Sequence, residues 1–315
     1  MGRRASPRGA LNPTTGRDPT TSRDPGLYGP ASEAWRLNRE ALLLLGAGPR
    51  ALLMQVAHPL VAEGVDQHSD FRSDPWVRLR GTLRSYLTIV YGTSDAARAE
   101  IRRLNALHRT IRGPIRDAPS RDRFGADYEA RDPDLGLWVH ATLVDSTIAA
   151  YDAWIAPLPR ERRERFYAET RPVARAFGVP EDRLPASYAA FEAYVGTMLG
   201  ARGPVHPTAT ARDLASSILR PTLAPLAAHA PGPLTGLLRP VLAAVPATAH
   251  AWTLWPSVGL LPDGLRREYE LDWGPRQRLV AGWLVAAWRG WRPLLPTAFR
   301  QMPHATTADR RLGVA

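Results

Sequence analysis

Asp74-Pro75-Trp76-Val77-Arg78-Leu79-Arg80-Gly81-Thr82-Leu83-Arg84-Ser85-Tyr86-Leu87-Thr88-Ile89-Val90-Tyr91-Gly92 carries every signal of one complete helix. Asp74 can cap the amino end, Pro75 suits the first helical position, and Gly92 suits the stop. Trp76, Leu79, Leu83, Tyr86, Leu87 and Val90 recur at helical spacing and form a core stripe. Arg78 and Thr82 are four residues apart, so they point the same way beside that stripe.

The neighbouring segments share this period. Ser94 starts a helix that ends at Gly113-Pro114, with Ala97, Ile101, Leu104 and Ile111 on its apolar face and His108 among them. Upstream, Ser32 caps a helix through Leu45, and Gly46-Ala47-Gly48-Pro49 breaks it. A second helix, Pro49 to Ala57, stops at His58-Pro59, because a residue before proline is pushed from helical angles. A further helical turn leads to Gly64 and His68. Downstream, Asp132-Pro133 opens a long helix through Trp154. Leu137, Val144, Ile148 and Tyr151 share a face of it, and His140 sits with them. Segments 160–177, 186–200, 208–219, 224–244, 263–270 and 276–291 also read as helices cut by Pro and Gly. No strand-like alternation runs beyond a few residues, so the fold class is all-α. The opening residues are rich in Arg, Pro, Thr, Gly and Asp and cannot repay ordering entropy. Residues 1–28 are expected to be a disordered tail, and 29–312 a single helical domain.

Composition narrows the chemistry. The chain has 315 residues, 44% of them hydrophobic, enough for one large core. It has no cysteine, which excludes disulfides, iron–sulfur clusters, thiolate-ligated haem and thiolate zinc sites. It has no lysine either, so all 41 basic residues are arginine and Schiff-base chemistry is excluded. This arginine-only, Ala- and Pro-rich usage fits a GC-rich bacterial genome. The net charge of +11 is spread among acidic neighbours, without the basic block and interleaved aromatics of a nucleic-acid binder. No apolar run has the length of a membrane span. The nearest, 234–261, is interrupted by Arg239, Pro240, Pro246, His250 and Pro256, and suggests at most weak membrane-surface association. Met1-Gly2-Arg3-Arg4-Ala5-Ser6 fits only a loose myristoylation pattern, and no apolar core follows the arginines. A cytoplasmic protein is expected.

Eight histidines remain as nitrogen ligands. His108, between Leu104 and Ile111 with Arg112 one turn on, offers an imidazole among aliphatic side chains. A haem iron needs such a ligand, apolar walls, and arginines for its propionates. A lone histidine on an apolar face is more commonly a hydrogen-bonded core residue, and His140 shares that alternative. His58 and His68 flank a segment with Glu63, Asp66 and Asp70, which could form a His/carboxylate iron cluster. No His-x-x-x-His or Glu-x-x-His helical pair is present, and no nucleophile elbow, P-loop or dinucleotide fingerprint appears.

Several strings resemble one family. They are His58-Pro59-Leu60-Val61-Ala62-Glu63-Gly64-Val65 with His68-Ser69-Asp70-Phe71, Asp74-Pro75, Arg78-x-x-x-Thr82, and Val90-Tyr91-Gly92. His108-x-x-Ile111-x-Gly113, Tyr128-x-Ala130-x-Asp132-Pro133 and Trp138-Val139-His140-Ala141-Thr142-Leu143 follow, with later pieces at Gly178-Val179-Pro180, Leu184-Pro185, Leu260-Leu261-Pro262 and Leu294-Leu295-Pro296. Together they are similar to the MpaB oxygenase and latex-clearing (rubber) oxygenase superfamily, on its bacterial MpaB-like branch. The resemblance implies a globin-like helical core holding haem b, with additional C-terminal helices. It implies an oxygenase that acts with dioxygen on an apolar isoprenoid or fatty substrate. It maps the axial iron ligand onto His108, and Arg78 and Thr82 onto a pair close to the haem. Rubber oxygenases carry a lysine just before the threonine that can cap the iron. Here that position is Gly81, so such a cap is impossible. Arg112 would meet a propionate, and His140, His58 and His68 would line or support the pocket. Glu63 and Asp66 are the nearest candidates for a base, if apolar walls raise their pKa. Two other readings stay open: a non-enzymatic bis-histidine haem or lipid binder, and a non-haem iron oxidoreductase at the His58/His68 cluster.

Overall fold

The computed structural model describes residues 24–69, 75–219 and 255–314. The segment expected as a helix at 224–244, most of the apolar stretch 234–261, and tail residues 1–23 lie outside them. Residues 24–28 are described, and Asp24 binds the backbone and hydroxyl of Ser94 at 2.7 and 2.8 Å.

The fold is all-α. Short α1 (Glu33–Asn38) leads into α2 (Ala41–Val56), α3 (Pro59–His68), α4 (Pro75–Tyr91) and α5 (Ser94–His108). A two-stranded antiparallel ribbon, β1 (Arg112–Pro114) and β2 (Asp127–Glu129), brackets α6 (Ala118–Phe124). Then come α7 (Pro133–Trp154), α8 (Arg160–Ala176), α9 (Tyr188–Met198) and α10 (Ala209–Leu219). After the undescribed gap follow α11 (Asp263–Glu268), α12 (Pro275–Trp291), α13 (Thr297–Arg300) and α14 (Pro303–Leu312). Among the described residues no helix is long and apolar enough to cross a membrane.

The centre is the antiparallel pair α2/α7. Trp138 Nε1 donates to Met54 O at 3.1 Å, and Gln55 Nε2 to Thr142 Oγ1 at 3.0 Å. Buried Arg50 donates to Ser146 Oγ at 2.7 Å and pairs with Asp145 at 2.7 Å. The expected break at Gly46-Ala47-Gly48-Pro49 does not occur, and α2 runs through it. A Cβ on Gly46 would stand 2.5 Å from Trp154 Cη2, so this glycine admits an indole from α7. Gly48 lacks the Cβ that would clash with the ring of Pro49. The packing of α2 on α7 outweighs a helix-interior proline cost of about 3 kcal/mol.

Two further boundaries differ from the sequence reading. The Ser32-capped helix ends at Asn38, not Leu45. Helix α5 stops at His108, not at Gly113-Pro114. Its last turn gives way to the ribbon, and Ala130 N donates to Ile111 O at 3.0 Å. The ribbon itself was too short to show alternation. Helices α13 and α14 were also missed. They close on the start of α2, where Met302 N donates to Arg39 O at 2.8 Å and Arg292 pairs with Glu40.

Two polar groups, half-buried Glu169 and buried His58, organise the first helices. Glu169 of α8 accepts from Glu33 N and Ala34 N at 3.1 and 2.9 Å, capping α1. His58 caps α3, its Nδ1 accepting from Leu60 N at 3.3 Å, with Phe124 alongside at a ring distance of 5.5 Å. Burial, helped by the charges of His206 and Arg123, lowers the His58 pKa to about 3.

Two outcomes follow from this packing. Gly46→Leu should lower the unfolding free energy by about 1–3 kcal/mol through overpacking, measured by urea denaturation. A double variant with Trp154→Ala should recover part of that loss. A ring held neutral in the fold at about 3, against an ordinary 6.5, protonates more readily when unfolded. Its stabilisation is complete above pH 6.5 and declines as pH falls towards 3, by at most about 1.4 kcal/mol per unit. His58→Asn, which preserves the cap, should flatten the pH dependence of stability across that window.

Candidate functional site

His108 is the terminal residue of α5, held at both sides. Its carbonyl accepts from Ile111 N at 3.3 Å, and Asn105, one turn earlier, donates to Ala176 O at 2.8 Å. Phe177, which ends α8, flanks the imidazole at a ring distance of 6.4 Å. The apolar partner is therefore Phe177, and Ile111 lies beyond the helix instead of on its face.

The α4/α5 hairpin sets what lies across from it. Ser85 Oγ donates to Glu100 Oε1 at 2.6 Å and meets Arg103 Nη2 at 3.2 Å. Two turns back along α4 and two turns on along α5, this antiparallel register brings position 78 level with His108. The side chain of Arg78 lies outside the described residues. Thr82 shares its face of the helix and is exposed.

Beside His108 is a small, open hollow lined by His108, Arg109, Ile111, Arg112, Glu129 and Arg131, with a volume of about 30 Å³. Pockets that enclose a whole drug-sized ligand start near ~300 Å³. This one suits a carboxylate group, given three guanidinium groups against one acid. Arg109, Glu129 and Arg131 were not singled out from the sequence. The alternation around Tyr128 is the signal, since Tyr128 is buried and its neighbours 127 and 129 are exposed.

A second histidine stands deeper. His140, on α7, meets Thr170 Oγ1 of α8 through Nε2 at 3.3 Å. The Thr170 hydroxyl already donates to Tyr167 O at 2.8 Å, so the ring supplies the proton from Nε2 and its lone pair sits on Nδ1. Burial lowers its pKa to about 4, so the imidazole is neutral at pH 7. Yet part of its surface is still accessible. Tyr86 of α4 has the same character. Burial pushes its pKa up to about 12, and its hydroxyl donates to Asn38 Oδ1 at 2.7 Å and lies against Thr147. Tyr28 behaves likewise and senses both Tyr86 and Glu169. Tyr86 thus joins α4 to α1 and α7, and His140 joins α7 to α8. Phe177 and Thr170, the α8 neighbours of His108 and His140, are separated by a helix rise of about 10 Å.

The other candidates do different work. His58 and His68 occupy opposite ends of α3, about 15 Å apart by helix rise. His68 Nε2 contacts Arg112 O at 3.1 Å, which supports the strand under the hollow. Glu63 and Asp66 do not meet the apolar walls expected of a raised-pKa base. Arg116 stands between them, donating to Glu63 from its backbone at 3.0 Å and its Nε at 2.8 Å, and pairing with Asp66. Gln67 adds a bond to Glu63 at 2.8 Å and one to Pro114 O at 2.9 Å. The carboxylates therefore brace β1 on α3. Among the described residues no group of three His, Asp or Glu could hold a metal ion, so the His58/His68 iron cluster has no geometric basis there.

Comparison with known proteins accords with this arrangement. Two mycobacterial proteins called uncharacterized, Rv2237 of Mycobacterium tuberculosis and Mb2261 of Mycobacterium bovis, are each 26% identical over 259 residues, covering 80% of this chain and 88% of theirs. No solved structure matches the chain. The family described as ER-bound oxygenase mpaB/B'/Rubber oxygenase, catalytic domain, matches residues 35–292, which takes in α1 to α12, His108 and His140. The chain belongs to this family and carries its oxygenase catalytic domain.

Proposed function

We propose that the domain binds haem b and, with dioxygen, oxidises an apolar substrate of isoprenoid or fatty type, and that His108 would hold the iron. One observation carries this reading. An imidazole pinned at the end of a rigid helix has an aromatic ring on one flank and an arginine-lined hollow on the other. The donor set suits haem: neutral nitrogen ligands, an apolar flank, and guanidinium groups for two carboxylates. When bound, haem supplies the activation of dioxygen that side chains cannot.

The residues would divide the remaining work. The carboxyl end of α5 carries partial negative charge, which strengthens His108 as an electron donor. Arg112, Arg109 and Arg131 would neutralise the propionates. Arg78, level with His108 on the facing helix, and Thr82 would address the iron side, as the family resemblance implies. Tyr86 and Tyr28 stay protonated at any physiological pH, so they offer hydroxyls, not charges, to the interior. Their rings and the walls of α7 would exclude water from an apolar substrate. His58, His68, Glu63 and Asp66 would act only through the scaffold.

One finding favours a second reading. A neutral, interior His140 with its lone pair on Nδ1 could complete a bis-histidine haem site with no open position. Protein produced with a haem supply should show a Soret band at one haem per chain. His108→Gly should lose haem or change the band, and added imidazole should restore it. A band unaltered in His108→Gly would reject the ligand assignment. Carbon monoxide added to the reduced protein should shift the band, as an open iron position requires. A low-spin spectrum that ignores carbon monoxide, and responds to it after His140→Ala, would instead establish the bis-histidine binder.

A further inference from the structure

We infer that α12 and the turn that follows it dock this chain on an anionic lipid surface through Leu279, Trp283, Trp291 and Leu294. These side chains are 75%, 68%, 65% and 74% exposed, the most exposed large hydrophobic groups among the described residues. Leu279 and Trp283 are one turn apart, and exposed Gly282, Ala286 and Gly290 lead on to Trp291 at the helix end and Leu294 just beyond it. A contiguous apolar patch on an otherwise charged chain marks a contact surface.

The charge around the ridge selects the partner. Helix α12 contains Arg276, Arg278 and Arg289 and no carboxylate, and Arg292 follows it. Asp272, before the helix begins, is the nearest acid along the chain. Three of these arginines also have protein partners: Arg276 does, Arg289 donates to Asp152 O at 2.7 Å, and Arg292 pairs with Glu40. Two copies of this face would bring arginines together, which opposes self-association. An anionic bilayer offers the opposite charge and an apolar interior at once. Tryptophan is the side chain that settles at such an interface, and arginine beside it is typical of helices lying in the membrane plane. The opposite side of α12 is tied to α7 through buried Ala281 and the Arg289 bond, so the ridge is presented ready-formed. The inference does not depend on haem.

Flotation of the full chain with vesicles tests it. Phosphatidylcholine vesicles containing about one third phosphatidylglycerol should carry the protein at about 0.1 M salt, and pure phosphatidylcholine vesicles should carry far less. The paired changes Leu279→Ser with Trp283→Ser, and separately Trp291→Ser with Leu294→Ser, should each reduce partitioning by about tenfold, with far-ultraviolet circular dichroism unchanged. Absence of flotation with anionic vesicles would overturn the proposal. Flotation equal to the parent's in both folded variants would assign the contact to another part of the chain. A parent that sediments as a dimer, with variants that sediment as monomers, would identify a second copy as the occupant.

Discussion

Everything in this domain is built on the seam between α2 and α7. It is held by an indole fitted over a glycine, Trp154 on Gly46, and by a buried guanidinium, Arg50, fixed by Ser146 and Asp145. A buried cation without such partners would cost several kcal/mol, so the seam has one acceptable register. Arg50 also donates to Leu260 O at 2.7 Å, and Tyr269 to Leu53 O at 2.7 Å. The chain beyond α10 is thereby hung on the same helix. With the seam set, α8 packs on α7, and α4 of the α4/α5 hairpin packs on α1 and α14.

Long helices with complete punctuation were legible in the sequence. The stop signal at Gly92 and the start signal at Asp132-Pro133 act locally, and local physics reads them directly. Gly46-Ala47-Gly48-Pro49 was misread because its glycine serves a residue more than a hundred positions away. Propensity alone sees a breaker there; only the tertiary partner Trp154 makes it a fit. The β1/β2 ribbon was invisible for another reason. Three residues cannot display a period, and its stability comes from Gln67 and Glu63 across the gap to α3.

The site was legible in part. His108 and Arg112 were picked out together, and the structure brings them to one hollow. Glu63 and Asp66 looked like a base because burial was visible in the pattern and Arg116 was not. The partner sits on another element, and no spacing rule within α3 could show it. Conversely, Phe177, Thr170 and Tyr86 carried no distinctive local signal. Their importance comes from which helix faces which.

The absence of lysine gives these observations a common cause. Every deeply buried carboxylate described, Glu33, Glu40, Glu63 and Asp309, is met by a forked guanidinium. A guanidinium stays charged at any accessible pH and bonds a carboxylate through two donors, so it can brace a helix end or a ribbon firmly. It cannot lose its proton and offer a lone pair. In a chain with neither lysine nor cysteine, the strong neutral donors left to a metal are imidazoles. Of the four histidines considered, His58 uses Nδ1 to cap α3, and His68 faces a strand carbonyl. His108 stands half-exposed at the arginine-lined hollow, and His140 bonds Thr170 across α7 and α8. The residue economy that makes this scaffold rigid is therefore also what narrows its chemistry to those two rings.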